Sequence, residues 1–593
     1  MSSLPLLRLR LHSRVQLLHF RYRAFLSKEQ LDELVKPSPD SLELVRAWLA
    51  HHGIRPSSIS TMHGGNWLTV TDVPLPQANQ LLGASYRLYR NTRTNETIIR
   101  TVGYFLPAAL HPHIQTVTPT TCFPSMHVTL HTPHRRSFGP VPEPAHAASG
   151  KFGARLQPPP LPPIIVPATV REMYGTSQYV PAEYWGRNRF ALAGDHRPLL
   201  DDLTDFMTAF QVQSIDASYT YVNADLDVFN PSLTSNAVIQ YASAMSYPSP
   251  LFYFGTKIEE ISLTRFLSLL LDDMAIFRTV GISYNYFTEL LVPPELADSV
   301  CHQLARLGAR GSSVLVASGN YGVGDGDCED GEGNIKFVPE FPSSCTSGVL
   351  LHFQELHKRV YKSLTSPFYA GPWVTSVGGT QYIDQEVAEG RSGGGFSIYY
   401  PRPSYQDSAV IEYFGELHGQ NHGYYKYALF LGRDPFLFRN LCSATGRGYP
   451  DISAQAAGCA AVIFGNIAIA RGTACAVAVC LSLLPVPFAL HRPFSSTLLT
   501  AIVQIAAGVV SLLNDFLIST HRKPLGFLNP WLYGAGRMGL SDITGGSNPG
   551  CRTDGFPAVI GWDPVRPARR VSFHFRRWLI LCSVGHGFRD AKF

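Results

Sequence analysis

No Cys-x-x-Cys pair occurs among the ten cysteines of this chain, which excludes a zinc ribbon and a thioredoxin-type redox motif. Charge is sparse: Asp, Glu, Lys and Arg make up 16% of 593 residues and leave a net charge of +5. So mild a balance, with no Lys/Arg stripe interleaved with aromatics, gives no reason to expect nucleic acid as a partner. Apolar runs of the roughly 20 residues that span a bilayer are missing too. The nearest are 476–490, broken by Pro485 and Pro487, and 498–513, which runs into Asn514 and Asp515. Both read as buried or misplaced segments, and no membrane span is expected. The start of the chain lacks a convincing secretory signal, because its short apolar stretch is cut by Arg8, Arg10 and His12.

What is present is the composition of a large globular chain. Apolar residues reach 45%, and 50 glycines with 44 prolines imply many turns. The length allows two or more domains with sizeable cores. Cys328 and Cys345 flank an acidic, Gly-rich loop and are placed to close it as a disulfide, two free thiols being the alternative.

Residues 27–53 read as two amphipathic helices. Ser27 is positioned to cap the first, whose stripe is Leu31, Leu34 and Val35. Asp40-Ser41 opens the second, with Leu42, Leu44, Val45 and Leu49 inward and Gly53 ending it. Strands are expected at 67–70 and 97–102, with a short helix at 77–82 between them. These elements make a small α+β unit that ends near Pro124. Residues 126–163 are rich in Pro, His and Ala and read as a linker. From Ile164 the pattern alternates β with α. Val314–Ala317 and 373–377 are continuous apolar runs suited to buried parallel strands, and 298–305 reads as helix, so a parallel sheet covered on both faces is expected.

A series of short motifs then carries a resemblance. They are Leu81-Leu82-Gly83-Ala84-Ser85-Tyr86, Trp373-Val374-Thr375-Ser376-Val377-Gly378-Gly379-Thr380, Gly393-Gly394-Gly395-Phe396-Ser397, Gly448-Tyr449-Pro450-Asp451-Ile452-Ser453-Ala454-Gln455, Pro524-Leu525-Gly526-Phe527-Leu528-Asn529-Pro530 and Gly561-Trp562-Asp563-Pro564. In this order they resemble the sedolisins, the serine-carboxyl peptidases, and most of all their secreted fungal tripeptidyl-peptidase-like members. The resemblance implies an α/β, subtilisin-like parallel sheet with helices on both faces, preceded by a small α+β prodomain. It divides the chain into a divergent N-terminus (1–26), an activation prodomain (27–125), the linker (126–163), a peptidase domain (164–565) and an atypical basic tail (566–593). A monomer acting on peptides or proteins outside the cell is what such a family member would be.

The family's chemistry needs a serine nucleophile, a Glu as its base, an Asp one helical turn on to orient that Glu, and a third Asp that donates to the oxyanion. Carried over residue by residue, the Glu position holds Thr234, the orienting Asp position Val238, the oxyanion position Asn320, and the serine position Ala474. An amide at Asn320 still donates a hydrogen bond. Thr234 and Val238 move no proton at acidic pH, and Ala474 has no hydroxyl. Asp225 and Asp227 fall in the turn ahead of the helix and read as loop carboxylates. Ser495 and Ser496 lie too far along to replace Ala474, and a Cys475 thiolate would have no base. The resemblance therefore implies a peptidase scaffold without intact catalytic residues.

Three stretches depart from the family pattern: residues 346–371, residues 477–505 and the tail from 566. Each begins at a sharp edge, as a retained intron or frame error would produce, and the alternative reading is an active acidic peptidase whose sequence is disturbed in this way. A third reading is a peptide-binding scaffold. One structural Ca²⁺ is expected, held by the carboxylates of Asp542 and Asp563 and by oxygens at Ile543, Val559 and Gly561. The acidic run 325–330 reads as a solvated loop, and Asn95-Glu96-Thr97 is a glycosylation sequon, usable only in a secreted chain.

Overall fold

The computed structural model describes residues 23–123 and 164–565, apart from 63–64, 91–96, 183–185, 225–230, 258–259, 284–286, 325–327, 329–335, 346–372, 383–385, 418–444 and 471–499. The linker, Asn95, Asp225, Asp227, Ala474, Cys475, Ser495, Ser496, the 346–371 stretch and the tail lie outside the described residues.

The N-terminal unit opens with helix α1 (Lys28–Val35), capped by Ser27 in a reciprocal box with Gln30. Helix α2 (Pro39–His51) is opened by Ser38 and Pro39 rather than by Asp40-Ser41. Val45 and Leu49 turn inward as expected, but Leu44 is exposed, because the stripe that meets Ile54 and Leu110 is only wide enough for its neighbours. Strands β1 (Ile59–Met62) and β2 (Trp67–Val70) pair antiparallel, as do β3 (Arg87–Arg90) and β4 (Thr97–Arg100), with helix α3 (Leu75–Leu82) between the pairs. Among the described residues the two pairs form separate ladders instead of one sheet.

The second unit is built on eight strands. In chain order they and the helices used below are β5 (Arg189–Gly194), α4 (Leu200–Phe210), β6 (Tyr219–Asn223), α5 (Leu233–Ser246), β7 (Leu251–Gly255), α6 (Glu260–Asp272), β8 (Phe277–Ile282), α7 (Pro294–Arg310), β9 (Ser313–Ala317), β10 (Thr375–Tyr382), β11 (Glu386–Ala388) and β12 (Ile452–Gln455). The strand order is β11-β10-β9-β8-β5-β7-β6, with β12 also on β10. All neighbours run parallel except the β10–β11 pair. Side chains alternate between the faces with the period of two that strands impose. Phe190, Leu192, Leu315 and Ala317 join one core, shared with α4, α5 and a later helix, α8 (Thr500–Ser519). Ala191, Ala193, Val314 and Val316 join the other, shared with α6 and α7. This is the sheet with helices on both faces that the sequence predicts.

Among the described residues two disulfides brace it, Cys301–Cys345 and Cys328–Cys551. They replace the expected Cys328–Cys345 link: each of those cysteines has a partner distant in sequence that spacing does not reveal. Helix α8 begins at Thr500, inside the stretch 477–505 read as foreign, and Val503, Gln504 and Ile505 are buried. No helix among the described residues is long and apolar enough to cross a membrane.

Candidate active site

In a parallel sheet, ligands meet the chain at the carboxyl ends of the strands. Two helices direct their N-termini to that edge. Helix α5 ends at Ser246, just before β7 begins at Leu251, so it runs antiparallel to the strands. Helix α8 runs the same way. Its Ser511 carbonyl accepts from Asn188 at the start of β5 (3.0 Å), whereas Gln504, earlier in the helix, packs on Gly281 near the end of β8. The two helices touch at Gly508, where a Cβ would lie 2.4 Å from the Met245 Cβ. The Gln504 amide is fully buried, and neither its oxygen nor its nitrogen has a partner among the described residues.

Thr234 and Val238 lie one turn apart on α5. Thr234 is half-buried near the capped N-terminus, where Ser232 and Ser235 bond reciprocally. Val238 is 1% exposed and belongs to the large core cluster. The opposite face of α5 does structural work. The Asn236 and Gln240 side-chain amides both donate to the Val462 carbonyl (2.9 and 2.8 Å), and the Gln240 Oε1 accepts from the Val462 N–H (2.9 Å). Val462 belongs to β13 (Cys459–Ile463), which pairs with β14 (Asn466–Ala470) across a two-residue turn, Phe464-Gly465. Asp202, on the first turn of α4, accepts from both turn N–H groups (2.8 Å each) and from the Asn236 amide. The hairpin is thereby locked to α4 and α5, and it delivers the chain to residue 471. Sequence reading missed Asp202, which looks like an ordinary acidic residue in a helix's first turn.

The turn that follows β9, Ser318-Gly319-Asn320-Tyr321-Gly322, is clamped from two sides. Gly393 N–H donates to the Gly319 carbonyl (2.9 Å), Gly322 N–H to Arg391 (3.1 Å) and Gly394 N–H to Gly322 (3.2 Å). A Cβ on Gly393 would lie 2.1 Å from the Ser318 oxygen, which explains the glycine run on steric grounds. On the other side, a Cβ on Gly322, whose φ is +59°, would lie 2.1 Å from the Pro549 oxygen. Asn320 itself is half-exposed, and its Oδ1 is buried without a partner among the described residues. Glu389 is the carboxyl nearest in sequence to this clamp. Burial raises its pKa, and its oxygen accepts from Arg391 N–H (3.0 Å), so it shapes the segment that grips the turn.

Residues of the expected cation site also converge. Asp542 accepts from Gly561 N–H (3.0 Å), while Asp563 accepts from Val559 (3.3 Å) and Val565 (3.1 Å). Ile543 and Val559 are buried beside them, and Gly561 has a φ of +100°. Among the described residues no group of three or more His, Cys, Asp or Glu gathers as a metal site would, and this set holds two carboxylates.

Comparison with known proteins sets this geometry in context. The family described as "Pro-kumamolisin, activation domain" matches residues 4–123. A protein named "Probable tripeptidyl-peptidase SED4" from Trichophyton verrucosum is 30% identical over 607 aligned positions, covering 95% of this chain and 86% of that relative. "Tripeptidyl-peptidase SED2" from Arthroderma otae is 26% identical, covering 92% of this chain and 85% of its own length. Among solved structures, Pseudomonas sedolisin in complex with pseudo-iodotyrostatin aligns with 98% of its chain and 71% of this one, at 16% identity and a TM-score of 0.47.

Proposed function

The chain belongs to the sedolisin family of serine-carboxyl peptidases, and from that premise we propose that it is a tripeptidyl-peptidase-like homologue that does not turn peptides over. The observation that carries this reading is Val238. It stands on α5 at the orienting-acid position, 1% exposed and packed in the core, with Thr234 at the base position one turn before it. A group that must share a proton is replaced there by one sealed in hydrocarbon. Removing the nucleophile or its base from a peptidase costs on the order of 10⁶ in rate. The clamped turn at Asn320 is left to bind a carbonyl without activating an attack on it. Two disulfides support an oxidising, extracellular compartment.

The test is a tripeptide chromogenic assay from pH 3 to 7, run beside fluorophosphonate labelling. No turnover and no label are expected, and turnover that scales with enzyme and is lost on heating would overturn the reading. One observation favours the runner-up, an active acidic peptidase whose transcript is spliced differently. Helix α8 starts at Thr500, far along the chain from Gly472-Thr473-Ala474. A messenger lacking most of the intervening codons would bring residues 472–474 next to the start of that helix in sequence. Sequencing the transcript decides between the two.

A structural Ca²⁺ is part of the proposal. The two carboxylates and the carbonyls at Ile543, Val559 and Gly561 form a hard-oxygen donor set of the kind this ion takes. Asp542 and Asp563 already meet the same short loop, which supports the assignment. When bound, the ion would tie that loop to the segment that backs the Asn320 turn.

A further inference from the structure

A sheet edge presents a row of unpaired backbone N–H and C=O groups, and proteins usually cover or blunt it. The eight-stranded sheet has two such edges, and the chain treats them differently. At one end, β11 is three residues long, carries Glu386, and gives its Ala388 N–H to the Gly545 carbonyl (3.0 Å). That edge is short, charged and covered. At the other end, β6 reads Tyr219-Thr220-Tyr221-Val222-Asn223, and among the described residues it pairs with β7 alone. It holds no charge, proline or glycine, and its register with β7 is unbroken. Every residue except Asn223 is aromatic or β-branched, the types that favour strands. Ala224 N–H donates to the Gly255 carbonyl (3.1 Å), which fixes the direction of the backbone. Peptide groups alternate along a strand, so Thr220 and Val222 turn theirs to β7 with Ala224, and Tyr219 and Asn223 turn theirs outward. Thr220 and Asn223 are exposed, as is Ile215 just ahead of the strand. The strand is firmly seated: the Tyr219 hydroxyl donates to the Pro198 carbonyl (2.7 Å), and the Tyr221 ring stacks on Tyr253. Little ordering is left for a partner to impose.

We propose that β6 is an interface for a second copy of this chain, the two β6 strands pairing antiparallel about a two-fold axis so that the two sheets join. The charges flanking the strand select this occupant. Exposed Asp216 lies just before its start, and the Arg197 guanidinium sits over the Tyr221 ring (4.6 Å) toward its end. Antiparallel pairing centred on Tyr221 lays the start of one strand beside the end of the other. Tyr219 then opposes the partner's Asn223, and Asp216 approaches the partner's Arg197, each twice by symmetry. A parallel arrangement would instead set Asp216 beside Asp216. The two Tyr219–Asn223 pairs supply about four backbone hydrogen bonds, and Ile215 and Thr220 add covered area at the seam. Contact of this size belongs to weak, reversible association. The family resemblance implies a monomer, and the open β6 edge is the feature that departs from it. The inference is independent of whether the cleft turns peptides over.

Sedimentation velocity on the full chain, from about 1 to 100 µM, is expected to show monomer and dimer in exchange. A single monomeric species throughout overturns the proposal. Asn223→Pro removes an outward donor from an edge strand, a place where proline is tolerated, and should weaken the dimer tenfold or more with an unchanged thermal midpoint. Asp216→Arg should weaken it as well, and adding Arg197→Asp to that variant should restore it. A dimer of parental strength in both single variants shows that the contact lies elsewhere, and no restoration in the double variant overturns the antiparallel arrangement. Hydrogen exchange at the Tyr219 and Asn223 amides separates the remaining occupants. Protection that grows with protein concentration supports a second copy. Full protection at the lowest concentration means that another segment of the same chain covers the edge, and the proposal fails.

Discussion

Glu289 lies between β8 and α7 with its carboxyl fully buried. It accepts from the Ser397 hydroxyl and from the N–H groups of Ile398 (2.6 Å) and Tyr399 (3.2 Å), so it holds the strand that follows the glycine run. Two effects oppose each other. Loss of water raises its pKa, while the hydrogen bonds lower it, and burial wins. A carboxyl whose folded pKa is raised contributes stability that is full below its unfolded pKa and is lost as pH climbs through the folded one. Across that window the loss is about 1.4 kcal/mol per pH unit. Glu289→Gln tests this, because its geometry suits a neutral amide. The NH₂ faces the Ser397 oxygen, and the carbonyl takes the Ile398 and Tyr399 donors. The variant should match the parent within about 0.5 kcal/mol at pH 4. At pH 7.5 it should be the more stable by over about 1 kcal/mol, a rise of roughly 2 °C or more in the thermal midpoint at fixed heating rate. If Glu289→Gln instead loses about 2 kcal/mol or more at both pH values, the hydrogen bonds hold an ionised carboxylate and the reasoning fails.

Burial likewise raises Glu389, Asp451 and Asp515, so the whole chain should melt higher at pH 5 than at pH 7.5; a midpoint that falls on acidification contradicts that sign. Val238→Asp puts a carboxyl into a site 1% exposed and should cost about 3 kcal/mol or more in urea, with no turnover gained even alongside Thr234→Glu. Asp542→Ala should abolish a calcium-dependent rise in midpoint while costing under about 1 kcal/mol in chelator, its side chain being exposed. Asp563→Ala should cost about 2–4 kcal/mol even in chelator, since a fully buried acceptor of two N–H groups is lost. Asp202→Ala should cost about 3 kcal/mol and speed amide exchange at Phe464 and Gly465, and unchanged exchange there would show that the turn does not need it.

Local signals in the sequence were legible where the physics is local. Ser27 ahead of an i, i+3, i+4 stripe announces a capped helix, and Val314–Ala317 announces a buried parallel strand, because both depend on neighbours in the chain. Leu44 was misread because an apolar residue at helical spacing does not say how wide the receiving surface is. The disulfides were illegible for a different reason: Cys328 and Cys551 are 223 residues apart, and nothing near either one marks the other. Asp202 acts on a turn 262 residues away, so its role exists only once the hairpin is folded against α4. Thr234, Val238, Asn320 and Ala474 were assigned from the motifs that flank them, whereas the burial of Val238 is a property of the packed core that no motif announces.

Under the proposed reading, that burial also bears on how a scaffold can outlast its chemistry. The parts that position a peptidase site here are tied by contacts independent of the reacting groups. Asn236, Gln240 and Asp202 hold the hairpin, Gly393 and Gly322 close the Asn320 turn, and Gly508 admits Met245 between α5 and α8. None of these needs a base or a nucleophile to be stable. Thr234 and Val238 are therefore compatible with the fold, and on the proposed reading an acid in place of Val238 would be hard to accommodate. A returning carboxylate without its Glu and its serine partner is an unpaired buried charge, which the packed core penalises by several kcal/mol. Recovery of turnover requires the base, the orienting acid and the nucleophile together, since each is costly or idle without the others. Single substitutions toward the family pattern should then lower stability without activity, and a gain of turnover from Val238→Asp alone would mean that another group already supplies the base.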